Sequence, residues 1–194
     1  MNRPPVILAS TSPYRAELLR RILPQFEQCA PAVDESPLAN ETPEQRAQRL
    51  AAAKATAVAR QHNDALVIGS DQVASCAGRI LDKPGDATQA FEQLTWASGR
   101  PVAFQTAWNL LDAHNNRRWC GTDLTQVHFR HLGKAEIHRY LDREQAYDCA
   151  GSFKCEGLGI ALFERIESLD PSALMGLPLI AVAAALREAG VAIP

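Results

Sequence analysis

The stretch Ala65 to Pro84, ALVIGSDQVASCAGRILDKP, constrains this chain more than any other. Its apolar run Ala65-Leu66-Val67-Ile68 reads as a buried strand, and a strand without alternation belongs inside a sheet covered on both faces. The strand surfaces at Gly69-Ser70-Asp71-Gln72, where a glycine permits close backbone approach and an acid stands beside it. Val73 and Ala74 prolong the extended run, Ala77-Gly78 predicts a tight turn, and Ile80-Leu81 lead back to Lys83-Pro84. That hairpin brings Asp71 towards Lys83, a pair that fits a plain salt bridge as well as a phosphate or metal site.

Strands and helices interleave along the rest of the chain. Pro5 to Ala9 predicts a first strand, and Ser12 followed by Pro13 predicts a helix start, with Leu18, Leu19, Ile22 and Leu23 on one face. Ser10 and Ser12 then put free N–H groups and the positive helix end at one spot, which suits an anion. Tyr14 and Arg15 occupy the first turn beside it. A cation at a helix N-terminus calls for a negative partner, either a bound anion or an acid such as Glu17 or Glu35. Phe26 to Ala30 predicts a second strand, a polar loop carries Asp34-Glu35, and Thr42-Pro43-Glu44-Gln45 opens a long helix ending near Arg60. Lys54 lies among alanines on that helix, solvated or emerging into a cleft.

Further on, the pattern predicts a helix over Asp86 to Ala97 and a strand pair, Val102 to Asp112 and Arg117 to Arg130, turning at His114-Asn115-Asn116. Trp108, Trp119 and Phe129 read as core or sheet-face aromatics. A helix over Gly133 to Asp142, a glycine-bearing binding loop over Ala150 to Gly159, a strand over Ile160 to Ile166 and a helix over Leu179 to Leu186 complete the reading. Two hairpins inside an alternating order imply an α/β fold with a mixed sheet, in one domain spanning residues 1–194. Ligands of such sheets bind at strand carboxyl ends, where Ser10, Glu35 and Asp71 fall.

The composition narrows the choice of partners. With 46% hydrophobic and 22% charged residues the chain is ordinary globular material, and its net charge of -2 supplies no field for a nucleic acid polymer or an anionic membrane. Five separated cysteines without a C-x-x-C pair suggest neither a disulfide framework nor a zinc site, as in a reducing cytoplasm. The opening MNRPPVILAS is too short in apolar residues for a secretory signal, and no run approaches the ~20 of a membrane span.

Taken in order, Ser10-x-Ser12-Pro13-x-Arg15, Asp34-Glu35, Ala53-Lys54-Ala55, Gly69-Ser70-Asp71-Gln72, Asp82-Lys83-Pro84, Ala150-Gly151-Ser152-Phe153 and Gly176-Leu177-Pro178-Leu179 resemble the Maf family of nucleotide pyrophosphatases over nearly the whole chain. The resemblance implies a two-lobed α/β fold with a central cleft, similar to the inosine triphosphate pyrophosphatases, with a divalent metal (Mg2+ or Mn2+) and commonly a homodimer. It assigns Ser10, Arg15, Lys54 and Lys83 to the triphosphate, Glu35 and Asp71 to the metal, and Asp71 to the general base for water attack on the α-phosphorus. A triphosphate does need several cations and N–H donors, and the water needs a carboxylate within reach.

The sequence departs from the commoner S-x-S-P-R-R pattern of members acting on dTTP and UTP, because Tyr14 precedes Arg15-Ala16. Gln72 and the run Ser152-Phe153-Lys154-Cys155-Glu156 resemble instead the branch that hydrolyses 7-methyl-GTP. A cationic methylated guanine favours an aromatic face such as Tyr14 and a carboxylate such as Glu156, and Gln72 offers the base a donor and an acceptor. Tyr14 packed on the surface and Glu156 paired with Lys154 are the plain alternatives. The resemblance also leaves room for dTTP or UTP as substrate, or for a nucleotide-binding regulator of septum formation with little turnover.

Overall fold

The two inner parallel strands form where the sequence has its uninterrupted apolar runs, and a short polar strand, largely exposed, pairs on the outside of them. In the computed structural model, which describes residues 4–194, β1 (Val6–Ala9) runs parallel to β2 (Glu27–Cys29) and to the start of β3 (Leu66–Cys76). Hydrogen bonding continues the order β2-β1-β3 through β5 (Pro101–Asp112) and β6 (Arg118–Phe129) to β7 (Phe163–Glu167), with β4 (Arg79–Ile80) on β3. The sheet is mixed, since β6 and β7 pair antiparallel. The chain divides into two compact units: residues up to Asp71, 106–123 and 170–194 form the first, and 72–105 and 124–169 the second.

In the first unit the two-residue period of the strands sorts the core into two layers. Leu8, Ile68 and Leu110 meet Leu18 and Leu19 of α1 (Pro13–Arg20) and Val182 and Leu186 of α5 (Leu179–Glu188). Ile7, Val67 and Leu111 meet Ala55 and Val58 of α2 (Pro43–Ala59). Both predicted helix starts are present: the Ser12 side chain accepts from the Arg15 N–H, and Thr42 and Gln45 form a reciprocal capping box. Gly69 sets how closely α2 approaches β3. A Cβ there would lie 2.2 Å from the Ala51 carbonyl oxygen and 2.7 Å from the Ala55 nitrogen.

In the second unit the expected hairpin forms: the chain turns at Ala77-Gly78, Ser75 pairs with Ile80, and the Leu81 N–H donates to the Ala74 carbonyl at 2.8 Å. Asp86 caps α3 (Ala87–Ala97), and α4 (Lys134–Arg143) follows Gly133. Phe153 meets Phe104, Phe129 and Phe163 edge-to-face, with centroids 4.7 to 5.6 Å apart. The strand expected from Ile160 begins only at Phe163. Residues Leu158–Leu162 form a 3-10 helix instead, and within it Gly159 packs so tightly on Lys154 that a Cβ would lie 2.4 Å from its carbonyl oxygen. No helix among the described residues is long and apolar enough to cross a membrane.

Candidate active site

Just past the carboxyl end of β1 and midway along β3, which runs on through Asp71 to Cys76 instead of surfacing at Gly69-Ser70-Asp71, the first unit gathers cations, carboxylates and hydroxyls. Ser10 is buried directly after β1, and its Oγ accepts from the Ser12 N–H at 3.1 Å and from Arg15 Nη1 at 3.4 Å. Gln28 on β2 ties this turn down, donating through Nε2 to the carbonyls of Ser10 (2.8 Å) and Ser12 (3.3 Å). Arg15 Nε donates to the Gly176 carbonyl at 2.9 Å. Gly176 has φ 102° and a Cβ there would press to 3.1 Å from Arg15 Nε, so only glycine suits both the turn and the contact. The Ser70 hydroxyl, 2.8 Å from both the Gly176 and Ala107 carbonyls, anchors the same loop from β3.

Arg15 therefore does not spend its charge on Glu17, which pairs with Arg21. Although the residue is half-buried, dense packing around the guanidinium pulls its pKa below the ordinary value, against the attraction of Asp71 and Glu35.

Lys54 departs from the ordinary solvated lysine of an amphipathic helix. It is only 5% exposed, and its ammonium lies 2.6 Å from Asp71 Oδ1 and 2.8 Å from Glu35 Oε1. Asp71 is buried two residues beyond Gly69, on the strand face that α2 covers, while Glu35 reaches in from an exposed loop. That loop is fastened to α2 by Arg49, which grips both Glu41 oxygens and donates to the Ser36 carbonyl. Two carboxylates thus converge on one cationic centre. Two hard oxygen donors, completed by water and substrate phosphates, are the donor set Mg2+ accepts, so these residues fit a divalent cation.

The structure brings together Ser10, Arg15, Glu35, Lys54 and Asp71. Tyr14 is half-buried in the first turn of α1, immediately before Arg15. Gln72, Lys83 and Glu156 belong to the second unit. Lys83 is exposed after β4, and Glu156 is exposed with Oε2 3.4 Å from the Cys155 thiol. Burial, with Glu156 adding to it, pushes that thiol up to about 12. Lys154, weighed as a partner for Glu156, makes an ion pair with Asp148 at 3.8 Å. Sequence reasoning missed Gln28 and Ser70 as parts of the site. Ser70 stood inside a quoted motif, but its partner Gly176 lies 106 residues away.

With this geometry in view, comparison with known proteins is decisive. The family model described as Maf-like protein matches residues 5–189. The chain belongs to the Maf-like family. Among its relatives is a protein of Xanthomonas oryzae pv. oryzae (strain MAFF 311018), 56% identical over 98% of this chain and 100% of that protein, named 7-methyl-GTP pyrophosphatase. Proteins of the same name from Ralstonia nicotianae (52% identical, 96% of each chain) and Thiobacillus denitrificans (52% identical, 97% of this chain and 94% of that one) are similar over comparable lengths. In fold, this Maf-like chain resembles the Ham1 protein of Staphylococcus aureus, with TM-score 0.52, 15% identity, and coverage of 94% of this chain and 98% of that one. The mixed-sheet α/β fold that the sequence implied is the one observed.

Proposed function

We propose that this Maf-like protein hydrolyses 7-methyl-GTP to 7-methyl-GMP and pyrophosphate, in the cytoplasm. The observation that carries the reading is the Lys54 ammonium buried between Asp71 and Glu35 beside Arg15 and Ser10, an arrangement suited to phosphate and cation, in a chain whose relatives bear the name of that activity. Water oxygen attacks the α-phosphorus, the bond from that phosphorus to the bridging oxygen of the β-phosphate breaks, and pyrophosphate leaves. Asp71 takes the water's proton on a carboxylate oxygen. Arg15, Lys54 and Lys83 hold phosphate oxygens, and the Ser10 turn adds hydrogen bonds; fixed cations of this kind supply most of the rate in phosphoryl transfer. A divalent cation held by Glu35 and Asp71, Mg2+ or Mn2+, would neutralise phosphate charge and lower the pKa of water.

For the base, Tyr14 supplies an aromatic face to the cationic methylguanine, Glu156 accepts from its N1–H and N2–H groups, and Gln72 adds a donor and an acceptor. The test is pyrophosphate release, with magnesium or manganese, from 7-methyl-GTP, GTP, dTTP, UTP and CTP side by side. Preference for 7-methyl-GTP supports the assignment. Preference for dTTP and UTP overturns the base pocket, and no release from any nucleotide overturns the enzyme in favour of a nucleotide-binding regulator.

A further inference from the structure

Gln93 on α3 has no part in the reading above, yet its amide joins the two segments of the second unit that carry Lys83 and Glu156. Its Nε2 donates to the Asp82 carbonyl at 2.9 Å, and its Oε1 accepts from the Ser152 hydroxyl at 2.7 Å. The orientation of the amide is fixed by chemistry, because a carbonyl only accepts and so must face the NH2 end. Gln93 is 7% exposed and Ser152 fully buried, so the bond between them is shielded from bulk water, while the bond to the Asp82 carbonyl is part-buried. Breaking one therefore strands a buried polar group.

The Ser152 end is itself under strain. Ser152 has φ 65° and follows Gly151 at φ 76°, a left-handed pair that a serine adopts only when its surroundings impose it. On one side of this turn Phe153 is locked in the aromatic cluster with Phe104, Phe129 and Phe163; on the other, the hydroxyl is held by Gln93. The turn thus fixes where Lys154, Cys155 and Glu156 leave the core. At the opposite end, the Asp82 carbonyl belongs to the peptide bond that leads into Lys83, whose side chain is exposed. A helix of the second unit in this way sets the backbone before the lysine and the backbone before the glutamate with one neutral side chain.

We infer that Gln93 is a positioning residue: through Asp82 and Ser152 it holds Lys83 and the Glu156 loop in register, coupling phosphate binding to base selection. This rests on the roles proposed above for Lys83 and Glu156. The experiment is a double-mutant cycle on the full chain with Gln93→Leu, Lys83→Met and both together, reading kcat/KM for 7-methyl-GTP and GTP and the thermal midpoint of each variant. Gln93→Leu is expected to lower kcat/KM for 7-methyl-GTP by about tenfold to a hundredfold, the range reached by coupled neighbours, and to cost at least about threefold less once Lys83 is already Met, the remaining loss being the Glu156 route. A merely structural role would give the same loss in both backgrounds, and that result overturns the inference. Ser152→Ala is the milder probe should Gln93→Leu fail to fold. It is expected to narrow the preference for 7-methyl-GTP over GTP by about tenfold or less, and an unchanged ratio overturns the link to Glu156. If Lys83→Met alone leaves kcat/KM intact, the role of Lys83 fails first and the positioning role with it. If Lys83→Met is damaging but the cycle is additive, the function stands and only Gln93 is excluded.

Discussion

The two units organise polar side chains in opposite ways. In the first, positions beside the parallel strands are held by charge: Lys54 between Glu35 and Asp71, Arg15 on Gly176 and Ser10. In the second, the corresponding work is done by a neutral amide and an aromatic cluster, Gln93 with Ser152 and Phe153 with three other rings. The difference follows from what each group has to do. A buried charge is tolerable only when paired, and a paired ammonium or carboxylate can exchange its partner for a ligand of the same sign as that partner. A satisfied neutral network has nothing to exchange, and so it serves to fix geometry.

The sharpest break in this comparison is Asp71→Asn. It keeps the shape and a hydrogen-bonding oxygen for Lys54 but removes the proton acceptor, so turnover should fall by about 10²- to 10⁴-fold while nucleotide affinity, measured by calorimetry, is retained. Unchanged turnover would remove Asp71 as the base. Next in size are two stability losses of different origin. Lys54→Met leaves the Asp71 carboxylate buried without its partner and is expected to cost about 3–5 kcal/mol of unfolding free energy. Phe153→Ala, which empties the aromatic cluster, falls in a similar range of about 3–5 kcal/mol. Urea titration of double variants separates them: adding Asp71→Asn, which removes the stranded charge, relieves much of the Lys54→Met deficit and leaves the Phe153→Ala deficit as it was. Equal effects of Asp71→Asn in the two backgrounds would erase the distinction between the units.

How far these features could be read in advance depends on the span of sequence each requires. Ser12-Pro13, the Thr42 to Gln45 capping box, the Asp86 cap and the Ala77-Gly78 turn are local, and they appear where the residues predict them. Gly69 was legible as a close-approach glycine, though not the element approaching it, which is α2. Lys54 in isolation reads first as a solvated lysine; only the packing of α2 on β3, 17 residues on, turns it into a buried ion pair. Ser70 and Gln93 were silent, because a serine in a strand and a glutamine in a helix have no pattern of their own. Their partners Gly176 and Ser152 lie 106 and 59 residues away.

Gly69→Ala tests whether the charged arrangement depends on that packing. The added Cβ overlaps the α2 backbone rather than a flexible side chain, so the helix must shift, with an expected loss of about 1–3 kcal/mol. Because Lys54 moves with the helix, kcat/KM should fall further than the loss of folded protein explains. Activity in proportion to folded protein would mean that the Lys54 position tolerates displacement.

The smallest expected effect concerns the loop that delivers Glu35. Arg49 holds Glu41 by hydrogen bonds to both of its oxygens, and this contact, ahead of all others, draws the Glu41 pKa down to about 2 from an ordinary 4.5. A carboxylate with a depressed folded pKa contributes stability that is complete above its unfolded pKa and is lost as pH falls towards the folded one. The midpoint difference between the wild type and Glu41→Gln should therefore be constant above about pH 5 and vanish on the way down to about pH 2. The guanidinium covers the Glu41 side chain, but the pair lies at a shallow place in the unit where solvent screens it, so the shift in midpoint will be small. Its value lies in a second reading. If the charged region is as dependent on ion pairs as the comparison holds, Glu41→Gln at neutral pH also loosens Glu35 and weakens Mg2+ binding measured by calorimetry; unchanged Mg2+ affinity would show that Glu35 is placed by Lys54 alone.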